Sequence, residues 1–453
     1  MDNVLQTIVR SLRSTADALP DARNGPNLRY TLADAVLSAF ACFFVQSPSF
    51  LAFQRELLFR WARSNCQTLF GIKDIPCPQQ IRNLLDGLPL ANFAPLFLRI
   101  LSDLRSQPRS LGPFLRLGGR VLVALDGIEF HQSRKIRCAL CSCRHTGKGK
   151  IPQYFHTMLA AVIVAPGHNR ALPLMPEFVR PQDDPGEQGS RQSRKQDCEL
   201  NAAKRWFARW HEQLRGLRPV CLGDALYSKH PFCRQILDAG ADFLFVVKPG
   251  SHPALFAAID GTRPRTTNWL RRRSQHGRGW RQQRYRWVSG VRVRNSTDAV
   301  TGTWIEMRIC QRRPDGWQQT YYSTFFTSLA VRGENVEEIA RCARARWKVE
   351  NECFNCIARH GQNFKHNFGH GNKGLANVLA TLNLLAFALH TALDGLPGRW
   401  QQCREYLQTR SKFFAKLRFF TEEFVFRDWP SLLDTMLHRR APPTWQWGGC
   451  TPA

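Results

Sequence analysis

The stretch VLVALD, Val121–Asp126, decides how this chain is read. An apolar run this short, ending on an acid, suits a strand covered on both faces better than the alternating strand of a half-exposed sheet. PVCLGD, Pro219–Asp224, repeats the design downstream. Between them, HTMLAAVIVAP (156–166) and ALPLMPEFV (171–179) read as strands joined by a turn at GHN. RKQDCELNAAKRWFARWHEQL (194–214) and HPFCRQILDAG (230–240) read as helices, and DFLFVVKPG (242–250) as a further strand. The order strand, strand, strand, helix, strand, helix, strand predicts an α/β core whose helices cover a largely buried sheet. An Asp at the carboxyl end of such a strand lies at the sheet rim, where open α/β folds place their sites. Taken singly, Asp126 and Asp224 are as simply read as turn or helix-capping residues. Two of them on neighbouring strands would converge.

Composition narrows the partner. Across 453 residues, Lys and Arg number 64 against 35 Asp and Glu, a net charge of +29. A fold does not need that imbalance, and self-repulsion works against it, so a polyanion is the simplest reason for it: nucleic acid first, an anionic membrane surface second. A hydrophobic content of 43% excludes global disorder. The first residues, MDNVLQTIVRSLRSTADALPDARNGP, hold no continuous apolar segment, so no signal peptide is expected. The apolar stretches from Tyr30 and Leu375 are interrupted by Asp34 and by Asn377, Asn383 and His390. Both read as buried helices, which favours nucleic acid and predicts no membrane partner. The 15 scattered cysteines predict a reducing, cytoplasmic setting without a disulfide framework.

Working outward, residues 1–115 read as a helical N-terminal region, and 116–263 as the first part of the core. Residues 264–330 break the rhythm: an Arg- and Trp-dense stretch is followed by alternating strands, a β-rich insertion. Residues 331–372 return to the core through one long helix, ENVEEIARCARARWKVENECFNCIARH (334–360), and 373–453 read as a helical C-terminal region. That long helix carries Glu350 and Glu352. Two residues apart, they point to different faces, and Arg346 shares the face of Glu350 by i,i+4 spacing. Phosphodiester cleavage gives a reason for two strand-end aspartates and a helical glutamate to meet. Two Mg²⁺ ions about 3.5–4 Å apart activate the attacking oxygen and stabilise the leaving one, and such hard cations take a few carboxylates on rigid elements.

LDGIEF (125–130), GDALYS (223–228) and RWKVENECFN (346–355) resemble, in this order, the three acidic motifs of DDE transposases of the IS4-like insertion-sequence group. NFKHNFGHG (363–371) is similar to a signature of one of its subgroups. The resemblance covers roughly residues 120–370. It implies an RNase H-like mixed sheet with flanking helices, interrupted by the β-rich insertion, with helical regions at both ends. It implies Asp126, Asp224 and Glu350 as catalytic metal ligands, Mg²⁺ (two ions, with Mn²⁺ as substitute) as cofactor, and Arg346 as a phosphate clamp. The partners implied are double-stranded transposon-end and target DNA and a second copy of the chain in a synaptic homodimer, in a bacterial cytoplasm. The chain departs from the family's Y-x2-R-x3-E-x6-K pattern: Ala343 stands for the Tyr and Ile357 for the Lys, leaving Arg359 as the nearest positive charge.

Four further features complete the reading. Lys248, at a strand end, and Trp280, in the Arg/Trp-rich insertion with Trp287, Arg278, Arg281 and Arg284, are candidate DNA contacts, since aromatics among arginines stack bases and hold phosphates. Each Trp reads equally as the anchor of a small sheet. The CALCSC loop offers Cys138, Cys141 and Cys143, with His145 and His156 nearby. It reads as ordinary reduced thiols or as a structural Zn²⁺ site lacking a second well-spaced pair. Asp197, Glu199 and Glu129 read as solvated, capping or opposite-face acids, and Trp347 and Val349 as the packing side of the Glu350 helix.

Overall fold

The structure, a computed structural model, describes residues 4–21, 23, 28–58, 62–147, 151–181, 197–267, 270–273 and 280–438. In chain order the strands are β1 (Leu115–Arg116), β2 (Arg120–Ser133), β3 (Ser142–Thr146), β4 (Ile151–Val164), β5 (Leu172–Pro173), β6 (Glu177–Phe178), β7 (Val220–Gly223), β8 (Asp242–Val247), β9 (Arg265–Thr266), β10 (Leu270–Arg273), β11 (Trp280–Arg292), β12 (Thr301–Arg313) and β13 (Gly316–Thr327). They form one sheet with the main order β10-β11-β12-β13-β8-β7-β2-β4-β3.

Its centre is an RNase H-like mixed sheet. β2 and β4 pair antiparallel, β5 and β6 add to β4, and β7 and β8 lie parallel to β2 and to each other. The helices Glu199–Leu214 and His230–Asp238 make the connections that parallel neighbours require. Every residue of β7 is buried, as the unbroken apolar run predicts. The expected third strand survives only as β5 and β6, because Pro173 and Pro176 remove donors from the ladder. β3, which hairpins onto β4 from the CALCSC loop, was not anticipated.

The strands of 264–330 do not stand apart. β13 pairs antiparallel with β8 over Thr324–Thr327, so the ribbon β11-β12-β13 continues the core sheet and covers an edge that would otherwise expose its backbone. Thr324 and Thr327 also donate side-chain hydrogen bonds to the carbonyls of Val247 and Phe243 (2.6 and 2.7 Å).

The two helical ends form a joint body. Leu32–Phe44 is buried throughout and packs on Leu375–Gly395. Its Thr31 cap accepts from the Asp34 amide, and buried Asp34 is satisfied by the Lys73 amide (2.9 Å) and Arg13 (3.7 Å). Leu375–Gly395 is long and apolar enough, by length and composition, to cross a membrane; in this fold it is buried from Leu375 to Leu393.

The expected single helix around Glu350 is four pieces: an α-helix Val336–Arg344, a 3₁₀ turn Ala345–Trp347, a π-helical segment Val349–Phe354 and a short α-helix Asn355–Arg359. π-segments are rare and recur at functional sites. Val349 is fully buried, as expected of the packing side, but Trp347 is 52% exposed, which corrects its assignment to that side.

Candidate metal and nucleic-acid site

Sheet register brings the two aspartates level. β2 and β7 pair Leu122 with Val220 and Ala124 with Leu222, and two residues further the same register sets Asp126 beside Asp224. Asp224 lies just past β7, where its Oδ1 accepts from the Leu226 amide (2.8 Å), so it also serves the turn as Asp residues often do.

Asp126 faces the 336–359 segment. One Nη of Arg346 lies 3.4 Å from its Oδ2 and 3.1 Å from Glu350 Oε1, so a single guanidinium bridges the strand acid and the helix acid, which are 220 residues or more apart in sequence. Arg346 is largely buried, and its Nε has no acceptor among the described residues. The next residue on the strand, Gly127, faces the opposite way, and the Glu199 carboxylate occupies the space where a side chain would be. Glu199 nonetheless belongs to the site, because, on top of burial, its charge helps raise the Asp126 carboxyl and that of Asp224 helps raise its own, contrary to its reading as a solvated or capping acid. Tyr227, which is buried, donates from its hydroxyl to Glu199 Oε2 (3.4 Å).

Four carboxylates crowded at one rim cannot all ionise freely. Burial, with Glu350 and Glu199 nearby, pushes the Asp126 carboxyl up to about 7, against the opposing pull of Arg346. Burial and then Asp224 raise Glu199 above the usual carboxylate range, and burial does the same for the Tyr227 hydroxyl. This donor set suits a hard divalent cation: it is all oxygen, repels itself, and already draws a guanidinium between Asp126 and Glu350.

The competing acids point elsewhere. Glu352 pairs with Lys348 (3.5 Å). Glu129 is held by Arg144 through two contacts of 2.7 and 3.0 Å. Asp197 is half-buried against Arg205 (2.8 Å) and the Arg180 amide (2.9 Å), a structural pair rather than a solvated one.

Of the basic and aromatic candidates, Lys248 is exposed at the carboxyl end of β8, on the same rim as Asp224. Arg359 is exposed at the end of its short helix, and no contact brings it to the acids, while Ile357 is fully buried in the core. Trp280 is 53% exposed at the start of β11, whereas Trp287 is buried and anchors the sheet. Arg278 lies outside the described residues. A groove that sequence reasoning missed runs beside the Glu350 segment, lined by Tyr321, Arg341, Arg344, Trp347 and Lys348. Arg344 sits over the Tyr321 ring (4.3 Å) and Arg346 over Trp347 (5.6 Å). The signal for it was RCARARWK itself, read for its glutamate neighbour rather than for its cations.

The cysteine loop also needs correction. Cys138 and Cys141 gather with His156 and His370, with the four ligand atoms all within 4.8 Å of one another. Cys143 is not in this group: it lies two residues further along, where β3 pairs it with Tyr154, and its sulfur faces the Arg144 carbonyl. His145 is exposed. The missing second pair comes from separate elements, His156 on β4 and His370 in HNFGHG.

No family model matches this sequence, and neither does any curated protein. Among solved structures the chain is similar to the piggyBac transposase in its synaptic complex with hairpin DNA, seen by cryo-electron microscopy. The TM-score is 0.40 at 10% identity, over 98% of this chain and 81% of that one. A likeness of that extent decides nothing about this chain, whose reading rests on its own residues.

Proposed function

We propose that the chain is a DNA transposase. It binds the terminal inverted repeats of an insertion sequence, cleaves the ends and joins their 3′-hydroxyls to target DNA by divalent-metal-dependent phosphodiester chemistry. The observation that supports this best is the bridging of Asp126 and Glu350 by Arg346, with Glu199 near Asp126 and Asp224 near Glu199, in a chain of charge +29. Asp126, Asp224 and Glu350 are the proposed ligands of Mg²⁺ or Mn²⁺, with Glu199 beside them. Two such ions would supply activation of the attacking oxygen and stabilisation of the leaving oxygen.

The protein's own groups prepare that chemistry. Asp126 loses its proton before it can ligate, so cation affinity rises with pH through about 7. Arg346 lets go of the two carboxylates and turns its donors, including the unpaired Nε, to a phosphate oxygen. Lys248, Arg359 and Trp280 are retained as DNA contacts, joined by Arg341, Arg344, Lys348 and Trp347 of the groove. Phosphate contacts of this kind predict binding that weakens steeply with salt. Two ends brought together call for two copies of the chain, in the bacterial cytoplasm on nucleoid DNA.

The test is incubation of labelled element-end duplex with the purified chain and Mg²⁺, comparing wild type, Glu350→Gln and Glu352→Gln. Cleavage and joined products are expected from wild type and Glu352→Gln and not from Glu350→Gln. The opposite pattern moves the ligand to Glu352, indifference to both substitutions sinks the acidic-site reading, and cleavage without joined products reduces the enzyme to a nuclease.

A further inference from the structure

We propose that Cys138, Cys141, His156 and His370 form a closed, structural zinc site at the far end of the β2–β4 pairing from the acidic rim. Five of the six distances are close to a tetrahedron's edges, and the sixth, Cys138 to His370, is within 4.8 Å. Zn–S near 2.3 Å and Zn–N near 2.0–2.1 Å imply edges of about 3.8 Å for S···S, 3.3 Å for N···N and 3.6 Å for S···N. The protein has Cys138 Sγ–Cys141 Sγ at 3.9 Å and His156 Nε2–His370 Nε2 at 3.2 Å. The mixed edges Cys138–His156, Cys141–His156 and Cys141–His370 are 3.4, 3.3 and 3.3 Å.

The surroundings prepare the ligands. His370 Nδ1 lies 3.0 Å from the Gly371 carbonyl; an Nδ1–H donated there leaves the Nε2 lone pair facing the cluster. The Cys138 amide donates to Cys141 Sγ (3.4 Å), and the Cys141 amide to the Cys138 carbonyl (3.2 Å), closing the tight turn of a C-x2-C ligand loop. The His370 loop is held independently of any metal: Asp86 accepts from the amides of Asn372, Lys373 and Leu375 (2.8, 2.9 and 3.0 Å), and Arg82 donates to the Phe368 carbonyl (2.7 Å). The His131 ring lies tilted against His370 at 4.1 Å and Phe130 stacks on His156 at 5.7 Å, walling the cluster.

The chemistry points to zinc. Two thiolates and two neutral imidazoles form a soft to borderline donor set that suits Zn²⁺ and leaves no open position for substrate. Binding releases one proton from each thiol and none from the imidazoles, so the site carries no net charge. Zinc there would join residues 229 apart in sequence, tying the loop that follows the Glu350 segment to the sheet. Asp126 pairs with Ala160 and His131 with His156, so the metal lies roughly 15 Å along the hairpin from Asp126, at ~3.3 Å per residue.

The test is metal content of the full chain, expressed with zinc and gel-filtered in reducing buffer. About one zinc per chain is expected in wild type and in Cys143→Ser, and below about a tenth in Cys138→Ser and His370→Ala. Should those two variants fail to fold, cobalt substitution of wild type decides: tetrahedral d–d bands with thiolate charge transfer support the site. Substoichiometric zinc with no such spectrum overturns it, as does stoichiometric iron or copper, a Cys138–Cys141 disulfide, or metal loss in Cys143→Ser. The readout is independent of DNA chemistry, so failure of the transposase reading and failure of the zinc site are separately visible.

Discussion

One hairpin, β2 with β4, carries two ligand clusters built on opposite principles. Where Asp126 pairs with Ala160, inside the ladder, the donors are all carboxylates, partly open, mutually repelling and bridged by Arg346. At the end where His131 pairs with His156 the donors are sulfur and nitrogen, mostly buried, and within 4.8 Å of one another. Among the described residues only the second group meets that spacing. The difference separates two uses of a metal. A closed soft set holds one ion for architecture, whereas an open hard set leaves room for water and phosphate around an exchangeable one.

Substitutions distinguish the two clusters. The largest effect is expected at the acidic end: Asp126→Asn, Asp224→Asn or Glu350→Gln should lower DNA cleavage by on the order of 10³-fold while zinc content stays that of wild type. Loss of zinc in these variants would mean that the two ends are not independent. Next, His370→Ala should lose the metal and lower the thermal midpoint by roughly 5 °C in calorimetry, since the ligand loop is already pinned by Asp86 and Arg82. Gly127→Ala should act at the acidic end alone. Its new methyl meets the tip of the Glu199 side chain, which must swing aside, so cleavage should fall while the denaturant midpoint changes little and zinc is kept.

A smaller effect follows from protonation. The Asp126 carboxyl, at about 7, sits above its ordinary value of 3.8, so the folded metal-free protein holds this proton more tightly than the unfolded chain. The stability it contributes is fully present below about pH 4 and is lost as pH rises through about 7. Asp126→Asn should therefore gain on the order of 1–2 kcal/mol over wild type at pH 8 without divalent metal, and little at pH 4. Smallest of all, Glu352→Gln removes a surface i,i+4 pair with Lys348 worth a few tenths of a kcal/mol, and cleavage should stay within about twofold.

Much of the core was legible because it is written locally. Apolar runs ending on Asp126 and Asp224 announce buried strands and their rim, and Arg346 with Glu350 needs only i,i+4 spacing. What escaped was written across the fold. Glu199 looks like any acid opening a helix until Gly127 is seen to leave room for it. His370 passes for part of a loop until it meets Cys141, and the segment around Glu350 shows no local sign that it leaves α geometry. The pairing of β13 with β8 depends on which edge lies open, a property of the assembled sheet.

Local sequence was enough for the mixed α/β core, the basic charge and the acid that ends β7, because periodicity, charge and strand termination are properties of neighbouring residues; Asp126 was expected to end its strand but lies within β2, which runs on to Ser133. Only the tertiary structure decided which of those acids meet, that Glu199 joins them, and that Cys138 and Cys141 pair with two distant histidines instead of Cys143. Those outcomes depend on distances of a few ångströms between groups far apart in the chain, and sheet register and loop anchoring set them.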